Sequence, residues 1–184
     1  MYRAKSIYFA GAKVKLKDWM NQFIKNQEAI EIIDESENRI MKAYSEMLSG
    51  YNQDTSKILN DVVHVQDYNG LVIEQNIQFT SICGHHFLPF FGTIDIAYEP
   101  DTIITGLGKL PRLVQAYSKR FQIQELLIKE IAEEIMKSIG AKGVCVRAKA
   151  THLCMHSRGP NDKSVETTCI YALGTLKDRN VWNA

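Results

Sequence analysis

The sequence predicts an α+β fold in which one antiparallel sheet carries helices on one face. Apolar residues recur at helical spacing over residues 17–48 and again from Pro111 to Gly140. Segments rich in β-branched and aromatic residues occupy positions 71–81, 90–100, 143–155 and 166–174. The resulting order is helix, two strands, helix, two strands. An antiparallel sheet covered on one side is the simplest way to bury these elements.

The first half of the chain supplies one helix and one strand pair. The apolar stripe of the helix includes Trp19, Phe23 and Ile33, and the segment SGYNQD from Ser49 ends it. LVIEQNIQFTS and FFGTIDIAYEP then flank the segment CGHHFLP, and Pro100 closes the second strand. These two strands are expected to pair antiparallel. Residues 1–16 give no pattern that assigns them to an element.

The second half repeats the arrangement. Pro111 suits the first turn of a helix, and an apolar stripe that includes Leu113 and Ile135 continues to Gly140. The strands GVCVRAKATHLCM and ETTCIYALG follow, joined by the polar loop SRGPNDKS. No repeat or flexible linker interrupts the chain, so one domain over residues 1–184 is expected.

Composition narrows the classes of function. The 184 residues are 45% hydrophobic and carry 22 Lys+Arg against 21 Asp+Glu, a formal charge of +1. Near-neutral charge argues against a nucleic-acid binder or a polybasic membrane binder. No apolar run reaches the roughly 20 residues that cross a bilayer, and basic residues interrupt the first 17 positions. We therefore expect a cytoplasmic protein.

Histidines cluster around two of the four cysteines. His85 and His86 follow Cys83, while His152 and His156 flank Cys154. Strand alternation would place His152, Cys154 and His156 on one face. Cys83 and His86 have the spacing of a short zinc-ligand pair. If the fold joins the segments, two thiolates and an imidazole suit Zn²⁺ and leave a fourth position open, as in catalytic sites.

Other interpretations of these residues remain open. A free cysteine on a strand is usually core filler, and this is the interpretation for Cys145 and Cys169. A closed structural zinc site with His85 or His152 as fourth ligand is one alternative. A Cys–His nucleophile pair is another, although it explains fewer of the clustered residues.

Charged residues elsewhere are candidates for binding a nucleotide. Lys109 and Arg112 lie around a helix start, where an anion is favoured, and Arg158 follows the second histidine cluster. Gln124 and Glu125 could bind the donors and carbonyl of a purine or pterin edge. Each of these residues is individually common on protein surfaces. No Walker loop and no GxGxxG motif is present.

Four collinear blocks resemble GTP cyclohydrolase I. They cover most of residues 30–174 and read RIMKAYSEMLSGYNQD, SICGHHFLPFFGTIDIAYEPD, GLGKLPRLVQAYSKRFQIQELL and ATHLCMHSRG. The resemblance implies the tunnelling fold (T-fold), in which antiparallel sheets of several subunits close into an oligomeric β-barrel. It also implies a homodecamer of two stacked pentamers with active sites between subunits.

The resemblance also implies roles for individual residues. Zinc ligands would be Cys83, His86 and Cys154, and the catalytic histidines would be His85 and His152. The guanine ring would be held by Gln124 and Glu125, and the triphosphate by Lys109, Arg112, Arg158 and Arg39. The implied reaction opens the imidazole ring of GTP by hydrolysis, releases formate and forms 7,8-dihydroneopterin triphosphate.

Two departures from the family pattern bear on the substrate. Gly84 stands where the family usually has glutamate, and Gly108 stands where it usually has serine. Loss of the serine hydroxyl removes a hydrogen bond to phosphate, worth about 0.5–1.5 kcal/mol. A diverged cyclohydrolase acting on a modified or less phosphorylated purine nucleotide is therefore the second hypothesis. A non-catalytic T-fold oligomer with structural zinc is the third.

Overall fold

The computed structural model describes residues 16–182, in two compact units. The first unit, up to Tyr44, contains α1 (Leu16–Met20) and most of α2 (Gln27–Met47). Asn26 caps α2, since its Oδ1 accepts hydrogen bonds from the backbone N–H groups of Glu28 and Ala29 at 2.9 and 3.2 Å. The expected helix over residues 17–48 is therefore two helices. The expectations for residues 1–15 lie outside the described residues.

The second unit begins at Ser45 and contains the sheet. Two short 3₁₀ turns, Ser49–Asn52 and Thr55–Lys57, precede it. Its strands and helices, in chain order, are β1 (Val62–His64), β2 (Val72–Cys83), β3 (Pro89–Glu99), β4 (Ile103–Thr105), α3 (Lys109–Ser118), β5 (Phe121–Gln122), α4 (Gln124–Ile139), β6 (Gly143–His152), α5 (Leu153–His156) and β7 (Thr167–Gly174).

The main sheet has the strand order β5-β2-β3-β6-β7. β2, β3, β6 and β7 are antiparallel neighbours, and the two-residue β5 adds in parallel to the end of β2. The predicted pairing of the two strands around CGHHFLP is confirmed. A separate ribbon of β1 and β4, which the sequence analysis did not predict, lies outside this sheet.

Helices α3 and α4 cover one face of the sheet and bury the main core. The sheet contributes Phe90, Ile94 and Ile96, which are fully buried, and α4 contributes Leu127 and Ile131. Burial of this apolar surface is the main stabilising contribution to the fold. The α+β class with helices on one face of an antiparallel-rich sheet is confirmed.

The opposite face of the sheet is only partly covered. Leu176 and Val181 pack there against Ala97 and Cys145. Ile170 remains 58% exposed. This face therefore presents apolar surface that the described chain does not bury.

Two further sequence expectations are wrong in detail. The helix expected from Pro111 to Gly140 is interrupted, because Phe121–Gln122 forms a strand with the end of β2. The strand expected through Met155 stops at His152, and Leu153–His156 is helical. Among the described residues, no helix has both the length and the apolar character needed to cross a membrane.

Candidate metal and nucleotide site

The turn after β2 brings Cys83 and His86 together. The Cys83 carbonyl accepts hydrogen bonds from the N–H groups of Phe87 at 2.9 Å and His86 at 3.3 Å. Phe87 adopts the left-handed region, with φ 56°. Gly84 donates its N–H to the Gln122 carbonyl at 2.9 Å, which ties the turn to β5. The chain therefore folds back tightly enough for two side chains three residues apart to face the same point.

Cys154 reaches this point from a helical turn. β6 ends at His152, so Cys154 and His156 do not share a strand face with it as the alternation predicted. His156 Nε2 instead lies 3.4 Å from the Val165 carbonyl oxygen. Phe90 of β3 is paired with His152 of β6, which places the start of α5 beside the turn after β2.

Cys83, His86 and Cys154 form a group whose geometry fits a metal ion. Their ligand atoms all lie within 4.8 Å of one another, and Cys83 Sγ is 3.9 Å from His86 Nδ1. A tetrahedral zinc ion with bonds of about 2.0–2.3 Å separates its ligand atoms by about 3.5–3.8 Å. The fold therefore joins two segments 71 residues apart in the sequence, as the zinc hypothesis required.

The electrostatics of the thiols also fit a cation. Cys83 and Cys154 are both buried. Burial raises the pKa of the Cys154 thiol, and the neighbouring Cys83 raises it further. Arg158 lies close enough to oppose this shift. A cation placed between the two sulfurs would stabilise both thiolates, which is the usual coupling between metal binding and ligand deprotonation.

The same residues line one cavity of about 310 Å³. His85, Glu125 and His152 face it together with the metal group. Its full lining is Cys83, His85, His86, Gln122, Ile123, Gln124, Glu125, His152, Cys154, Met155 and Thr167. Seven of the predicted site residues therefore meet in one subunit.

His152 is held on two sides. Its ring stacks on that of Phe90, with centroids 4.7 Å apart and planes 3° from parallel. Its Nε2 lies 2.8 Å from Gln124 Oε1. Burial lowers the pKa of His152, while nearby Glu125 raises it and His156 lowers it further. The imidazole is thus oriented and its protonated form is disfavoured.

The two remaining candidates near the metal group, His85 and Glu125, are both exposed. His85 is exposed, and its Nδ1 lies 3.9 Å from Cys83 Sγ. Glu125 is also exposed, in the first turn of α4, where the helix dipole favours its carboxylate. Both side chains can therefore reach a molecule that enters the cavity.

Lys109 and Arg112 lie on α3, outside the cavity of the metal group. Lys109 pairs with Asp61 at 3.2 Å near the start of α3. Gln115, further along α3, donates a hydrogen bond to the Gln78 carbonyl at mid-strand in β2. Gln78 precedes Cys83 by five residues, so this contact lies about 16 Å along β2 from Cys83. Neither Lys109 nor Arg112 is among the residues that line the cavity of the metal group.

Arg39 belongs to the first unit. It lies on α2, where its Nη2 is 3.5 Å from the Glu35 carbonyl oxygen and 3.4 Å from Ser36 Oγ. Its role in binding phosphate stays a prediction.

Comparison with known proteins identifies the family. The family model described as GTP cyclohydrolase I matches residues 13–184. The chain belongs to the GTP cyclohydrolase I family. It is 41% identical over 167 residues to GTP cyclohydrolase 1 of Campylobacter lari, covering 86% of each chain. It is 42% identical over 155 residues to GTP cyclohydrolase 1 of Rickettsia felis, covering 82% of this chain and 80% of that one.

Membership in the GTP cyclohydrolase I family confirms the predicted enzyme class and the T-fold. Among solved structures, the archaeosine synthase QueF-Like in its apo form is similar, with a TM-score of 0.48 and 17% identity. That similarity covers 59% of this chain and 97% of that chain.

Phe90 and Thr167 are among the residues at this cavity that the sequence analysis missed. Phe90 stacks on His152, and Thr167 lines the cavity and accepts a hydrogen bond from Gln124 through its carbonyl at 3.0 Å. The strand register would have identified both, because Phe90 pairs with His152 and Ala150 pairs with Thr167.

Proposed function

We propose that this protein is a zinc-dependent hydrolase that opens the imidazole ring of the guanine of GTP. The products are formate and 7,8-dihydroneopterin triphosphate. Two water molecules are consumed in ring opening and formate release, and one is returned when the pyrimidine ring closes onto the rearranged ribose. The observation that carries this proposal is the meeting of Cys83, His86 and Cys154 with Glu125 and His152 in one cavity.

The ligand set defines what a metal would do there. Cys83, His86 and Cys154 would hold Zn²⁺, which supplies Lewis-acid activation of water at a coordination position left open by three protein ligands. His85, exposed beside Cys83, remains free to exchange protons in the cavity.

Glu125 and His152 bind and protonate the purine. The Glu125 carboxylate accepts hydrogen bonds from N1–H and the 2-amino group of guanine, a pairing of one anion with two adjacent donors. His152 delivers a proton to N7, which makes C8 electrophilic. A lowered pKa makes its protonated form a stronger acid.

The triphosphate is bound between subunits. Arg158 lies beside Cys154 in the same chain, whereas Lys109 and Arg112 do not line the cavity. Lys109 and Arg112 of a second copy would complete the site. The exposed edge of β7 and the apolar Ile170 on the uncovered sheet face support assembly into a barrel and a decamer.

Formate release tests the reaction directly. The zinc-loaded protein is incubated with GTP, and formate is measured together with the absorbance and fluorescence of the pterin. Equal amounts of the two products are expected. Bound zinc with neither product would refute the proposed function.

Replacement of Glu125 tests the guanine contact. Glu125→Gln is expected to raise KM for GTP at least tenfold, because a charged hydrogen bond of about 1.5–3 kcal/mol is lost. Glu133→Gln is the matched control, since Glu133 lies on the same helix but pairs with Lys129 at 3.8 Å. An unchanged KM in Glu125→Gln would show that another group binds the base.

A less phosphorylated substrate is the second candidate. It is favoured by Gly108, which offers no hydroxyl at the start of α3, and by Lys109, which is already paired with Asp61. Comparing GTP, GDP, GMP and guanosine separates the two candidates. Equal turnover of all four would refute GTP as the specific substrate.

A further inference from the structure

Gln124 has both of its amide hydrogens engaged. The residue is 1% exposed, and its Nε2 donates to the carbonyls of Ala148 at 3.1 Å and Thr167 at 3.0 Å. The amide nitrogen must therefore face β6 and β7, because the oxygen cannot donate to a carbonyl. This requirement fixes Oε1 as the atom that faces His152.

The orientation of Gln124 determines which nitrogen of His152 carries hydrogen. Gln124 Oε1 lies 2.8 Å from His152 Nε2 and only accepts, so Nε2 must be the N–H donor. In the neutral ring, Nδ1 is then the nitrogen that carries no hydrogen. The Phe90 ring is fully buried and stacks on the His152 ring, so the imidazole stays parallel to it.

We propose that Gln124 is a positioning residue, which holds His152 in the Nε2–H form with Nδ1 available to the substrate. The inference rests on the proposed function in one respect, the transfer of a proton by His152. It assigns Gln124 a different task from Glu125: Glu125 binds the purine, and Gln124 acts through the histidine. The hydrogen bonds to β6 and β7 make the first turn of α4 a rigid support for this task.

Kinetics of Gln124→Met distinguish positioning from base binding. Methionine keeps the volume but neither accepts from Nε2 nor donates to the two carbonyls. We expect kcat to fall about 10- to 100-fold, because a misplaced proton donor loses most of its contribution of about 10²–10⁴. KM and bound zinc should stay within twofold. A tenfold rise in KM with unchanged kcat would overturn the proposal in favour of base binding.

Gln115→Met is the matched control. Gln115 also donates its amide to a backbone carbonyl, that of Gln78 at 2.9 Å, but it does not line the cavity. Its kcat and KM are expected to remain within twofold of wild type. A loss of kcat as large as that of Gln124→Met would show that removal of any such amide disturbs the enzyme, and would overturn the specific role.

Solid-state ¹⁵N NMR provides a readout that does not depend on turnover. In histidine-labelled, zinc-loaded wild-type protein, the His152 signal is assigned by its loss in His152→Ala. The neutral ring is expected as the Nε2–H tautomer in wild type and as a mixture in Gln124→Met. A wild-type Nδ1–H tautomer would overturn the proposal even if Gln124→Met failed to fold. Absence of formate release would instead refute the proposed function and leave this result intact.

Discussion

Replacement of Cys154 with alanine is expected to abolish metal binding and activity together. The change leaves Cys83 Sγ and His86 Nδ1, 3.9 Å apart, as a two-ligand chelate. A metal that binds only the folded protein at a hundred times its Kd stabilises it by about 2.7 kcal/mol. For a chain of this size, that corresponds to a change in Tm of about 5–10 °C.

The assay measures zinc content and thermal unfolding with and without a chelator. Wild type should lose about 5–10 °C on chelation, whereas Cys154→Ala should carry no zinc and show no shift. Cys145→Ala is the matched control, because Cys145 is 2% exposed on β6 but packs on the opposite sheet face. Its own Tm can fall, but the chelator shift should persist. One zinc per chain in Cys154→Ala, with the shift retained, would refute the ligand assignment.

Three further predictions concern substrate affinity and stability. Gly108→Ser should fold normally, since an added Cβ meets nothing within 4 Å. The new hydroxyl should lower KM for GTP about 2- to 12-fold. An unchanged KM would show that the hydroxyl does not reach the phosphate. Asp95→Ala leaves the Arg147 guanidinium, 2.6 Å away, without its buried partner, and should reduce unfolding free energy in urea by about 3 kcal/mol. The control Glu99→Ala, at a more exposed ion pair, should lose less than about 1 kcal/mol, and equal losses would contradict this. Burial raises the pKa of Glu74, so the folded state holds this proton more tightly than the unfolded state does. The stability that the bound proton contributes is lost as pH rises through the pKa of the folded state. Glu74→Gln should therefore raise Tm relative to wild type at pH 8 but not at pH 4, and the reverse order would refute the sign.

Local patterns predicted the strands well, but one helix boundary depended on tertiary structure. The apolar stripe from Leu113 to Ile135 continues through Phe121 without a strong helix-breaking residue. Phe121 and Gln122 nevertheless leave the helix because they pair with Ile82 and Cys83 of β2. Local sequence contains no information about that partner, so a single long helix was the reasonable expectation.

The Cys83–His86 pair was predictable from local spacing, but its meeting with Cys154 and the contacts that support the site were not. Cys83 and His86 are neighbours in one turn, so their cooperation is visible in the sequence. The contacts of His152 with Phe90 and Gln124 join β6 to β3 and to α4. Such contacts depend on strand register and on helix placement, which long-range packing decides.

The position of Lys109 outside the cavity of the metal group has a genetic consequence. If a second copy supplies the phosphate-binding cations, as proposed above, each catalytic centre depends on two polypeptides. A chain altered at Lys109 would then keep its own metal group intact but would impair the centre of its neighbour. In a cell that makes both altered and normal chains, such an allele would therefore reduce activity in centres whose metal ligands are all normal, whereas an allele altered at Cys154 would disable only its own.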